Sequence, residues 1–373
     1  MESTELSSLT TQVLWAAFAL SVAFGAIAQR SHFCTMGAVS DIVNMGDWTR
    51  MRQWALAVGV AMIGFAGLAY AGWIDPAKTL YVSNRWIWLS AAVGGAMFGF
   101  GMVLSSGCGS KTLVRIGGGS LKSIVVLVVM GVAAFATLKG ITAVLRIASV
   151  DRVAIDFVAA ATLPNWAASA FGINARLAGL MVALALGGGL MLWALTGFRR
   201  ADGLFDNLLA GLGIGAVIVA MWWVSGKLGH VAEHPDTLQE AFLATNSGRA
   251  EALSFVAPVA YALDWLMFFS DRSKVLTVGI VSVLGVVVGS AISAIAMGSF
   301  RWEGFGSTED VANHLGGAVL MGVGGVTAMG CTIGQGLSGI STLSASSFVA
   351  VAAILAGAVA AVRYQIWRLE RMV

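Results

Sequence analysis

Apolar residues in this chain come in long unbroken runs rather than in the short alternation of an element with one wet face. Nine runs approach the roughly 20 residues a helix needs to cross a bilayer. They are Thr11–Ala28, Gln53–Trp73, Ile87–Leu104, Leu121–Leu138, Ala175–Gly197, Leu204–Val224, Val275–Met297, Val311–Ala328 and Ser346–Ile366. Polar residues collect between them. Val150–Asn174 and Lys227–Arg249 read as external loops carrying short surface helices, and Ser254–Phe269 as a half-span or an interfacial helix. Trp73, Trp86, Trp88, Trp222, Trp223, Trp302 and Trp367 fall near the ends of runs, where the aromatic belt of a membrane protein sits.

The basic residues orient the pattern. Arg30, Arg50 and Arg52 follow the first run, Lys111, Arg115 and Lys122 the third, Arg199 and Arg200 the fifth, and Arg363, Arg368 and Arg371 the last. With alternating crossings they share one side. The positive-inside tendency makes that side the cytoplasm, placing the N-terminus outside and the C-terminus inside.

Composition agrees with the pattern: 58% of the 373 residues are hydrophobic and 11% charged, with a mean hydropathy of +0.85. That is an all-α polytopic membrane protein, read as one transmembrane domain over 1–373. With 47 glycines and four prolines, its helices are expected to touch through small residues. A net charge of +3 with no basic stripe gives no support to a nucleic-acid partner; the surrounding partner is membrane lipid. The acidic start Met1-Glu-Ser-Thr-Glu5 is unlike a signal peptide, so the first run reads as a retained span.

Two stretches break the runs in the same way. Ser105-Ser-Gly-Cys-Gly-Ser-Lys-Thr112 and Ala328-Met-Gly-Cys-Thr-Ile-Gly-Gln335 each place Gly directly before Cys (Gly107 before Cys108, Gly330 before Cys331) and small or polar residues after it. Glycine weakens a helix and frees backbone polar groups for other partners. Within a membrane such groups persist only where protein or a water-filled path covers them. An odd number of crossings separates the two breaks, so they enter from opposite faces. That is the pattern of an inverted repeat, here about 11–145 against 204–368, with a substrate path at the junction. A third break holds Cys34-Thr-Met-Gly37, which matches Cys331-Thr-Ile-Gly334, while the place after the sixth run, near Gly226–Gly229, has no cysteine.

A single cysteine in so apolar a chain is usually inert filler. All three of the chain's cysteines lie in glycine breaks, which favours a shared role. No C-x-x-C and no histidine at ligand spacing support a zinc site or a disulfide framework, so no metal or cofactor is expected. Neutral S–H groups are weak, polarisable donors suited to an anion with soft sulfur. Helices starting after the breaks, near Ser110–Thr112 and Thr332–Gln335, would aim free N–H groups inward. Gly109, Thr112, Thr332 and Gln335 join the candidate substrate-binding set with Lys111, although capping explains the hydroxyls equally well and surface anchoring explains Lys111 and Arg115. The alternative role for those two cations is an electrostatic funnel. Asp264 and His314 read as packing groups. Ser110-Lys-Thr112 fails as a phosphate loop, since Ser rather than Gly precedes the lysine.

In Gln29-Arg-Ser-His-Phe-Cys34 with Gly37, Ser106-Gly-Cys108 and Gly330-Cys-Thr-Ile-Gly-Gln-Gly336, the chain resembles the YeeE/YedE family of bacterial inner-membrane proteins. The resemblance implies an hourglass-like permease, not an enzyme, whose Cys34, Cys108 and Cys331 pass a thiosulfate anion along by S–H···S contacts. It also implies a separate small sulfur-carrier (sulfurtransferase-like) protein as cytoplasmic partner. Two other readings stand beside it: transport of a selenium compound or another sulfur species, and a membrane-embedded sulfurtransferase that holds sulfur as a cysteine persulfide.

Overall fold

The structure is a computed structural model and describes residues 3–198, 203–235 and 237–371. Met1, Glu2, Arg199, Arg200 and Asp236, which entered the sequence reading, lie outside the described residues. It is 72% helical. Its strands form two short antiparallel ladders, β1 (Arg85–Trp86) with β2 (Ile155–Asp156), and β3 (His230–Val231) with β4 (Ala241–Phe242).

Eight helical segments among the described residues are long and apolar enough to span: Glu5–Met45, Thr49–Tyr70, Trp88–Gly117, Leu121–Lys139, Ala175–Phe198, Leu204–Leu228, Val278–Ala296 and Ala345–Glu370. The first combines α1 (Ser3–Arg30) with α2 (Thr35–Met45), and α3 is Thr49–Tyr70. The third is a broken helix, α4 (Trp88–Leu104) plus α5 (Gly109–Gly117), followed by α6 (Leu121–Lys139). After α7 (Ile141–Ala148) and α8 (Leu163–Phe171) comes α9 (Ala175–Phe198). The sixth joins α10 (Leu204–Leu208) and α11 (Ile214–Trp223) through wide π turns. Then come α12 (Ala257–Met267), α13 (Val278–Ala296), α14 (Thr308–Thr327) and α15 (Ala345–Glu370). The remaining run of the sequence, Val311–Ala328, falls in α14, whose N-terminal turn carries Glu309 and Asp310.

Two expectations need correction. Cys108 does not follow the third span but interrupts it, since the helix resumes at Gly109. Lys227–Arg249 carries the β3–β4 ladder in place of a surface helix. Turn formers such as Gly229, Pro235 and Gly248 leave no helix after Leu228 among the described residues there, and Glu240 ties it down by binding both Lys78 (2.6 Å) and His230 (2.5 Å). Val150–Asn174 does hold a short helix, α8, capped by Thr162 at its start and by left-handed Gly172 at its end. The Ser254–Phe269 segment forms α12, whose 11 residues reach only about 16 Å.

Ion pairs between loops sort into two sets. Arg30–Asp206, Lys122–Glu303 and Arg368–Glu309 join loops that nine alternating crossings place on one side. Lys78–Glu240, His230–Glu240 and Arg146–Asp151 join loops of the other.

At the centre, α4 lies between α14 and α15 at backbone contact. A Cβ on Gly101 would come 2.6 Å from the Gly317 carbonyl oxygen, and one on Gly95 2.6 Å from that of Ala350. Only glycine permits that approach. It sets the Cys108 break of α4 beside the Cys331 break after α14.

Candidate functional site

Both breaks close with the same geometry. Ser106 (φ 55°) and Met329 (φ 57°) adopt the left-handed conformation without being glycine. The Gly107 N–H donates to Met102 O and that of Ser106 to Val103 O; the Gly330 N–H donates to Gly325 O and that of Met329 to Val326 O. These are Schellman closures. His32 (φ 53°), two residues before Cys34, is the third left-handed residue in the same relation to a cysteine. Such conformations cost energy and concentrate at functional positions.

Each thiol then opens the next helical turn. The Gly37 N–H points to Cys34 Sγ (3.3 Å) and the Gly334 N–H to Cys331 Sγ (3.4 Å), so sulfur takes the place usually held by a capping oxygen. The amides of Ile333 and Phe255 also face the Cys331 sulfur. Cys108 Sγ lies 3.2 Å from Ser110 Oγ, and Thr112 Oγ1 donates to Cys108 O. All three thiols are free and buried. Cys108 is the electrostatic neighbour of both others, so its thiol is close to that of Cys34 and to that of Cys331.

The predicted polar residues divide. Thr332 Oγ1 and Gln335 Oε1 are buried with no hydrogen-bond partner, although Gln335 Nε2 donates to Ala328 O (2.5 Å). Thr112 is used for its own helix. Gly107 leaves room for the Lys111 stem, and Gly109 sits beside Phe255 and Met130. Lys111 is half-buried and neighbours Cys34 and Cys108, with Arg50 and Arg115 next to it. Arg50 pairs with Asp41 (3.3 Å) and packs so tightly on Gly37 that a Cβ there would lie 2.5 Å from its Nη1. Among the described residues no carboxylate lies within 4.0 Å of Lys111 or Arg115. Asp264 pairs with Lys274, and His314 with Asp310, as expected of packing groups.

A cavity of about 310 Å³ reaches Met329 and Gly330, next to Cys331. Its wall includes Arg146, Asp151, Asn246, Glu251, Ser254 and Tyr261. Tyr81 OH, also near Cys331, and Ser254 Oγ both crowd Gly334. Burial pushes the Tyr81 hydroxyl up and the Glu251 carboxyl up to about 7. Sequence reasoning missed Tyr81, Ser254, Glu251, and the partnerless Trp54 Nε1 and Ser347 Oγ near Gly336 and Gly339. Nothing local distinguishes them: Tyr81 and Glu251 sit in loops, and Trp54 resembles the belt tryptophans.

Residues 30–360 match the family model described as Sulphur transport. The chain belongs to this YeeE/YedE sulphur-transport family. Within the family it is 28% identical over 321 residues to the thiosulfate transporter TsuA of Escherichia coli, covering 84% of this chain and 83% of that one. It is 24% identical over 354 residues to the thiosulfate transporter TsuA of Spirochaeta thermophila, covering 91% and 94%. A family member with these apolar helices is a multi-pass membrane transporter of sulfur compounds, and not an enzyme.

Proposed function

We propose that this transporter is a permease for thiosulfate, carrying it inward across the bacterial inner membrane past Cys331, Cys108 and Cys34 in turn. One observation carries the reading: three free, buried thiols gather around Cys108, with a cavity that reaches the Cys331 break and Lys111 beside Cys34 and Cys108. Thiosulfate has charged oxygens at one end and a polarisable sulfur at the other. Backbone amides at the helix starts suit the first and neutral thiols the second. The TsuA relatives are named for the same ion. The shared closures at Cys108 and Cys331 support an inverted repeat around the path, and the cation cluster of Arg50, Lys111 and Arg115 supports a cytoplasmic exit. A small sulfur-carrier protein would receive the ion there.

Uptake of labelled thiosulfate into liposomes holding only this protein tests the reading, with sulfate, sulfite and selenite as competitors. Saturable uptake that unlabelled thiosulfate suppresses best is expected, with all three thiols unmodified by mass spectrometry afterwards. Absence of uptake by folded protein sinks the permease. Stoichiometric cysteine persulfide would put a sulfur-transferring site in its place.

A further inference from the structure

The cavity beside Cys331 poses an electrostatic problem for an anion path. Of the charged groups in its wall, Arg146 is paired, and Asp151 and Glu251 have the wrong sign for an anion; the nearby cations lie outside the wall. Arg146 pairs with Asp151 (3.0 Å), which also accepts from Ser90 Oγ (2.6 Å). Arg249, two residues before Glu251, donates to the carbonyls of Thr79 and Val82. Lys274 is held by Asp264 (2.6 Å), and Lys78 and His230 by Glu240. Glu251 itself receives only neutral donors, the Asn246 N–H (3.1 Å) and Ser247 Oγ (3.2 Å). Among the described residues no cation lies within 4.0 Å of it. The other groups that face it are Tyr81 from the β1 side and Tyr261 from α12, while α13 contributes Val278, Gly279 and Ser282, none charged.

An ionised Glu251 would therefore meet an arriving dianion with a carboxylate in a wall whose one cation among the described residues, Arg146, is already paired, in surroundings where like charges repel strongly. We infer that the cavity binds the anion together with one proton on Glu251, taken from the external water, so that carboxylate becomes carboxylic acid as the anion arrives and ionises again as it leaves. Burial has already brought the acid near the point of protonation at neutral pH. Linkage makes the effect reciprocal: a proton tightens the anion, and the anion tightens the proton. A carboxylic acid also offers the anion a donor that a carboxylate cannot.

The inference rests on the permease reading, and the test separates the two. Thiosulfate affinity of the purified protein is measured from pH 5.5 to 8.5, together with proton uptake in weak buffer on adding thiosulfate. Affinity should fall about tenfold between pH 6 and pH 8, with close to one proton taken up per anion at pH 8 and almost none at pH 5.5. Glu251→Gln should flatten the pH profile and abolish the uptake; slope that persists would overturn the assignment. Wild-type binding without proton uptake sinks the inference and leaves the permease standing, and needs no variant to fold. Absence of both binding and transport overturns both readings.

Discussion

At the scale of single residues, the thiols are where chemistry and packing can be told apart. Serine keeps a donor of nearly the same shape but exchanges soft sulfur for hard oxygen, which binds neighbouring amides and carbonyls more firmly. Cys108 neighbours both other thiols and Cys331 faces three backbone amides, so Cys108→Ser or Cys331→Ser should abolish or strongly reduce uptake while the protein still folds. Cys34→Ser should be milder, since Cys34 lies beside the cations Lys111 and Arg115, which still attract the anion. Growth on thiosulfate as sole sulfur source, in cells without other uptake routes, is the readout. Parental growth of all three variants at equal expression would return the cysteines to filler. The cysteines, Thr332 and Gln335 were legible because glycine breaks surround them. Tyr81, Ser254 and Glu251 were not, because each reaches the path from a distant loop.

At the scale of elements, glycine decides which helices can meet. A Cβ on Gly99 of α4 would overlap the backbone of α15 at Ile354 and lie 3.0 Å from Ala358 N. Two rigid helices cannot separate locally, so Gly99→Ala should cost about 1–3 kcal/mol, the usual scale of overpacking. Gly67 on α3 has nothing within 4 Å of its Cβ position. There an alanine should be neutral or stabilising by up to about 1 kcal/mol. Thermal midpoints of the two variants in one detergent make the comparison; equal shifts would mean that propensity and not contact is being measured. The apolar runs located the spans to within a few residues because length and hydropathy are local properties. They missed that α4 continues as α5, because what lets a helix break and resume there is the cover supplied by α14, α6 and Phe255.

At the scale of the whole molecule, Glu251 connects folding to pH. Its folded value of about 7 lies above the ordinary carboxylate range, so the native state holds a proton that the unfolded chain releases. Stability is then unaffected by this group below about pH 4.5 and declines as pH rises toward 7. Glu251→Gln should remove that decline, raising the midpoint at pH 8 by the equivalent of about 1–2 kcal/mol with little change at pH 4.5. A wild-type midpoint that rises from pH 5 to pH 7 in step with the variant would show that other groups govern the dependence. The all-α membrane class and the oddness of the two breaks were determined by the sequence alone, since a bilayer forces every long apolar run to become a helix with its backbone bonds satisfied inside it. Only the tertiary structure decided that Cys108 neighbours both Cys34 and Cys331, that Lys111 lies beside Cys34 and Cys108, and that Glu251 lines the cavity at the Cys331 break. Those facts depend on which helix backbones can touch, and on loops packing against residues up to some two hundred positions away, which no local pattern encodes.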